Sequence, residues 1–292
     1  MKKSILAILA LILLTSCSSP KVEKKTEFGE KELASTSELE FQIKSVRKSY
    51  GDDLWLEDNS LYVVVEMSIK NISKEKQSIT TFDWKLQNAA LTETDVSNVE
   101  SSVGGETFSI DVLPGGTVDA IFYFEQPLDN SGLVLAYYSN MFSEEPEIKF
   151  NLTTDCSDVA VSETPYAKGS SVTYRDKIYT VEKVQTSAGK DYTKPDSGNV
   201  FLGVTVKIKN NSSIDIAEIS SNRWKVYDDK GVSYDYSYFS VWDTESFYDK
   251  QLEPGSEYSY IIAFEVPKNG KWRLAYYGNM FDEKEKFSII LN

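Results

Sequence analysis

The chain has 292 residues, room for two domains of ordinary size, and its 18 Tyr and 14 Phe lean the composition towards strands and an all-β protein. The formal charge of −14 makes the surface acidic, which repels phosphate backbones and argues against nucleic-acid binding. With no His at all, neither a Ser-His-Asp nor a Cys-His catalytic set can form, and the usual zinc and copper sites are excluded.

The first element in chain order is a leader. Lys2 and Lys3 precede an unbroken apolar run from Ile5 to Leu14, too short to span a bilayer and right for the core of a signal peptide. It ends in Leu14-Thr15-Ser16-Cys17, which resembles the bacterial lipobox. That resemblance implies a signal peptide over residues 1–16, acylation of Cys17, and a mature protein anchored to the extracytoplasmic face of the cell membrane without spanning it. Residues 17–27 then form the lipidated Cys and a flexible, Lys- and Glu-rich tether. Acylation of Cys17 leaves Cys156 as the one remaining thiol, so no intramolecular disulfide is possible. The acidic surroundings of Cys156, between Asp155 and Asp158, predict a raised pKa and a poor nucleophile.

From residue 28 the chain repeats itself with a shift of about 140 residues. Phe41, Ile43 and Val46 answer Tyr179, Val181 and Val184, and both runs lead to a glycine, Gly51 or Gly189. Leu61 to Asn71 answers Val200 to Asn210, with Ser73 and Ser212 two residues on. Trp84-Lys85 answers Trp224-Lys225, and Pro114-Gly115 answers Pro254-Gly255 ahead of strands that close on Phe124 to Pro127 and Phe264 to Pro267. Leu135 to Phe142 answers Leu274 to Phe281 with one difference, Ser139 against Gly278.

Within each copy the period is two. Val63, Val65, Met67 and Ile69 alternate with Val64, Glu66, Ser68 and Lys70, as Leu202, Val204, Val206 and Ile208 alternate with Gly203, Thr205, Lys207 and Lys209, predicting one core face and one wet face. Ala120, Phe122 and Phe124 are expected inward with Tyr260, Ile262 and Phe264, while Glu125 and Glu265 point out. Asp228 to Gly231 reads as a hairpin turn. The expected architecture is all-β: two tandem immunoglobulin-like antiparallel β-sandwich domains at 28–153 and 166–292, joined by a linker at 154–165.

The lipobox, the alternating strand ending in Ile69-Lys70-Asn71 with Ser73 beyond it, the Leu113-Pro114-Gly115 turn and the strand closing on Phe124 to Pro127 together resemble the telokin-like, immunoglobulin-like domain family of unknown function found in lipoproteins of Gram-positive bacteria, akin to a secreted mycobacterial antigen. The resemblance covers both copies. It implies a cell-surface sandwich and assigns no catalytic residues.

Two features are candidates for binding. The Asn140-Met141-Phe142 and Asn279-Met280-Phe281 loops either present soft apolar side chains to a partner or plug the sandwich end, with Asn in a left-handed turn and Met and Phe folded down. In the second domain Tyr234, Tyr236 and Tyr238 share one strand face, with Trp242 nearby. They either stack on sugars or anchor a protein partner, or they are packing. Paired carboxylates such as Asp52/Asp53, Asp228/Asp229 and Glu144/Glu145 read as solvated turn charges, and no cofactor or metal motif is present. The function expected is a non-enzymatic, membrane-anchored surface module that contacts a protein of unknown identity. A carbohydrate- or envelope-binding module using the aromatic row, or a passive spacer, are the alternatives.

Overall fold

The computed structural model describes residues 25–51, 56–57, 59–98, 101–140, 142–158, 161–237, 241–242, 249–278 and 283–292. The first repeat contains β1 (Glu27–Gly29), β2 (Ala34–Ser35), β3 (Leu39–Ser49), β4 (Ser60–Asn71), β5 (Gln77–Thr80), β6 (Trp84–Gln87), β7 (Glu93–Asp95), β8 (Ser102–Val103), β9 (Ser109–Val112), β10 (Thr117–Pro127), β11 (Val134–Tyr137) and β12 (Ile148–Asn151). They make two five-stranded sheets, ordered β2-β3-β4-β10-β8 and β1-β12-β11-β6-β7, with β5 and β9 paired beside them. The second repeat contains β13 (Ser171–Tyr174), β14 (Lys177–Ser187), β15 (Asn199–Asn210), β16 (Ala217–Ser220), β17 (Trp224–Tyr227), β18 (Ser233–Asp235), β19 (Asp249–Leu252), β20 (Glu257–Pro267), β21 (Arg273–Tyr276) and β22 (Phe287–Ile290). Its sheets, β13-β14-β15-β20 and β18-β17-β21-β22 with the β16-β19 pair, keep the strand order of the first copy. The chain is thus two tandem β-sandwiches, and no described helix is long and apolar enough to cross a membrane.

The inward residues behave as their period demands. Val63, Val65, Met67 and Ile69 are buried, as are Phe122, Phe124, Ile262 and Phe264. Trp84 sits at the centre of the first core, edge-on to Phe41 with ring centroids 5.3 Å apart, and Trp224 occupies the same place in the second, 4.8 Å from Tyr276. One difference separates them. Trp224 Nε1 donates to the Tyr260 hydroxyl at 2.9 Å, whereas Ala120 stands at the equivalent position in the first copy and the buried Trp84 Nε1 has no partner among the described residues.

Two expectations need correction. The sandwiches are not wholly antiparallel: β1 runs parallel to β12, with Phe28 opposite Phe150, and Tyr166 makes a parallel bridge to Ile289. Each copy begins where its last strand begins, so its leading residues run up the free edge of that strand and cover it. Nor is the second face of the long strand wholly wet. Tyr62 and Val64 are as buried as Val63, and the ring of Tyr123 packs on that face, 5.8 Å from Tyr62. In the second copy Phe201, Gly203 and Ala263 are buried on that face, with the ring of Trp242 over Gly203.

The shared Asn71 and Asn210 prove to be internal fasteners. Asn71 Nδ2 donates to the carbonyls of Glu75 and Val112, both at 2.8 Å, while its Oδ1 accepts from Ser73 N at 2.9 Å. Asn210 repeats the pattern with Asp215, Leu252 and Ser212. A buried amide that satisfies loop carbonyls and a loop N–H ties the end of the long strand to the following turn, which explains why these residue types recur at that spacing.

Candidate functional site

The loop after Asn210 is one residue longer than its counterpart after Asn71, since β16 starts seven positions on and β5 only six, and the longer loop carries Asp215. Its backbone is held by Asn210 Nδ2 on the carbonyl at 2.7 Å and by Ser212 Oγ, which accepts the Asp215 N–H at 2.9 Å. The carboxylate thus fixed reaches the first sandwich: Ser49 Oγ donates to Oδ1 at 2.9 Å and Tyr50 N to Oδ2 at 3.4 Å. Ser49 is fully buried by this contact and also accepts Gly51 N at 2.9 Å.

Beside this latch stands the β13–β14 hairpin. Tyr174 pairs with Lys177, so the turn has two residues, Arg175 and Asp176, with φ of 46° and 56°. Two successive left-handed residues are what a two-residue turn of the primed type requires, and for a side chain like Arg the conformation is strained. Contacts hold it there. Arg175 Nη2 donates to the Glu57 carbonyl of the first sandwich at 3.1 Å, and the Asp176 carbonyl accepts Asn211 N at 2.7 Å. The electrostatics are crowded. Burial, then the neighbouring Asp158 charge, raises the Asp176 carboxyl above the usual range, and burial with a hydrogen bond to Asp158 raises the Tyr50 hydroxyl.

Flanking these contacts, a groove of about 760 Å³ opens between the sandwiches, with Tyr50, Asp129 and Asp158 on one wall and Tyr174, Arg175 and Lys286 on the other. On the far side of the latch a smaller cleft of about 390 Å³ brings Arg47 of the first sandwich to Lys177 and Arg223 of the second. The residues offer ring faces, carboxylates and guanidinium donors, which suits hydrogen bonding to a bound molecule. The nearby Cys156 packs into the first core, where burial and then Asp155 push its thiol up to about 11, so it is protonated at neutral pH. Among the described residues no group of three or more His, Cys, Asp or Glu is placed to hold a metal ion.

The residues singled out in the sequence lie elsewhere. Tyr234 is half-buried, edge-on to Trp272 with centroids 5.6 Å apart, and Tyr236 packs against the second core and bridges to Phe264. Trp242 covers Gly203. These three rings therefore build the wall of the second sandwich, while Tyr238 lies outside the described residues, as do Cys17, Met141, Asn279 and Met280. Of the two readings of the Asn140 loop, the plug does not hold for the residues described. Asn140 Oδ1 accepts Phe142 N at 3.0 Å in a local turn, Asn140 is not among the residues with positive φ, and Phe142 is 87% exposed. The junction residues left no trace in the sequence beyond the extra residue at Asp215.

Comparison with known proteins places this architecture. The family model described as a domain of unknown function, DUF4352, matches residues 30–148 and again 166–286. The chain belongs to this family. The model of the prokaryotic membrane lipoprotein lipid attachment site matches residues 1–18, so this DUF4352 protein is a membrane-anchored lipoprotein. No curated protein matches it. Among solved structures it is similar to an uncharacterized β-sandwich protein from Clostridium difficile 630 (14% identity, 44% of this chain and 94% of that one, TM-score 0.31). It is also similar to the yjhA protein of Bacillus subtilis (12% identity, 44% and 99%, TM-score 0.32) and to a conserved hypothetical protein from Bacillus anthracis (22% identity, 44% and 99%, TM-score 0.31).

Proposed function

We propose that this lipoprotein is a non-enzymatic binding module on the extracytoplasmic face of the membrane, that its domains run over 28–153 and 166–292, and that it takes a hydroxyl-rich, uncharged ligand of the carbohydrate class in the groove between them. The groove carries the reading. Both sandwiches line it, and its charges nearly cancel, with Asp129, Asp158, Glu163 and Glu285 against Arg175, Lys284 and Lys286. The half-buried Tyr174 ring among balanced donors and acceptors favours sugar faces and hydroxyls over a strongly charged partner. The strand order and the central Trp84 and Trp224 also support kinship with the telokin-like, immunoglobulin-like sandwiches.

The test is calorimetric titration of the full chain with neutral oligosaccharides, N-acetylglucosamine oligomers among them, against a variant carrying Asp129→Ala and Lys286→Ala. Saccharide binding weakened about tenfold in a variant with unchanged melting supports the groove. Equal binding by both proteins moves the site elsewhere, and the absence of any saccharide binding removes the carbohydrate reading.

A further inference from the structure

The two sandwiches stack in the same sense. The end of the second that carries Asp215, Glu218, Arg223 and residues 284–286 is seated on the first. Among the described residues nothing covers the matching end of the first sandwich, and that is where large apolar side chains surface. Phe82 is 53% exposed, Phe108 49%, Leu113 68% and Phe142 87%. Pairing places them at one end. Leu113 lies in the turn before Thr117, which pairs with Lys70 at the end of β4, and Phe82 immediately precedes the Asp83-Trp84 start of β6. Phe142 lies in the connection from Tyr137 to Ile148, the pair that closes β11 and β12 at the same end. Phe82 and Phe108 stack almost flat, with centroids 6.1 Å apart and planes 6° from parallel, a paired ring surface turned to solvent.

The anchor arrives at this same end. β1 runs parallel to β12, and the Thr26 carbonyl accepts Lys149 N at 2.8 Å where β12 begins. From Cys17 to Thr26 the chain can reach at most about 30 Å fully extended, and it carries Lys21, Lys24 and Lys25 against Glu23. A tether that short keeps the apolar end close to the bilayer at high effective concentration, and its lysines favour anionic headgroups.

We propose that this end of the first sandwich is a membrane-docking surface: Phe82, Phe108, Leu113 and Phe142 enter the interfacial layer of the bilayer that holds the Cys17 lipid. Aromatic side chains are at home at that depth. Glu144 and Glu145, on the same connection as Phe142, keep the contact shallow, because carboxylates stay in water. Docking stands the two sandwiches upright, with the domain junction and the far end of the second sandwich held away from the lipid.

The test uses the full lipidated chain reconstituted in phosphatidylcholine vesicles containing phosphatidylglycerol, spin-labelled at Leu113→Cys or, as a control at the far end, at the fully exposed Tyr192→Cys. Cys156, buried in the first core, stays unlabelled in both. Docking predicts a label at position 113 several-fold more accessible to oxygen than to a water-soluble nickel complex, with the reverse at position 192. Adding Phe82→Ser and Phe108→Ser returns the 113 label to water while the melting temperature holds. Equal aqueous accessibility at 113 and 192 overturns the proposal. So does burial at 113 that disappears when the protein is diluted into more lipid, since that result assigns the surface to a second copy of the chain.

Discussion

At the scale of single residues, the two copies are a natural control for each other. Tyr260→Phe removes the acceptor of Trp224 Nε1 and leaves a buried donor unpaired, a loss of about 1–2 kcal/mol in the second sandwich, to be read by chemical denaturation. The first sandwich, whose Trp84 already lacks such a partner, is unaffected. Asp83 gives a pH signature. Burial outweighs its bonds to Thr80 and lifts its carboxyl to about 6. Between the unfolded value near 4 and about 6 the folded state binds more protons than the unfolded one, so this group's contribution to stability falls as pH rises through that window. Asp83→Asn is therefore expected to stabilise the protein at pH 7–8 and to make no difference near pH 4, measured as melting temperature against pH. The sequence shows that Asn71 and Asn210 recur, and Trp84 and Trp224 with them. It does not show what an amide does once buried, because the carbonyls it satisfies belong to residues as far as Val112 and Leu252.

At the scale of strands, alternation was enough to find the long elements and their inward faces, since a period of two has only one way to sit on a core. It failed on the other face. Val64 and Glu66 have the same parity, yet one is fully buried and the other only half-buried, and the cover over Gly203 is the ring of Trp242, which lies outside the strands, where no periodicity applies. The aromatic row stays ambiguous in the sequence for the same reason: an excess of rings can as well signify a wall built from a loop as a surface meant for a partner. Gly203 marks the difference. The first copy has Val64 there, whereas a Cβ at Gly203 would stand 2.8 Å from the Trp242 ring. Gly203→Val should displace that ring at a cost of about 1–3 kcal/mol, visible as lower stability and as greater solvent exposure of Trp fluorescence.

At the scale of the molecule, the junction is the part no sequence pattern announced. Ser49 and Asp215 are 166 positions apart and are residues that any polar loop contains. Their pairing needs an Asn-x-Ser turn lengthened by one residue, which aims a carboxylate at the neighbouring sandwich. Asp215→Ala is expected to leave both sandwiches folded and to loosen the joint, seen as a larger radius of gyration and a smoother scattering profile in solution, with a smaller shift at high salt in the parent. The first sandwich holds Glu75 at the matching place, its carbonyl taking the Asn71 amide as the Asp215 carbonyl takes that of Asn210, but on a loop one residue shorter.

One consequence attaches to Cys156. Its backbone is tied to Asn130 and Asp129 of the first sandwich, its side chain is sealed in that core, and in the acylated protein no other thiol competes with it. Alkylation of this sulfur can proceed only when the first sandwich opens, whatever the second is doing. Its rate under a thiol-reactive probe is therefore a clock for one of two nearly identical folds: it should speed up with Asn71→Ala and keep its pace with Asn210→Ala, which assigns stability to each half of the duplicated chain without cutting it in two.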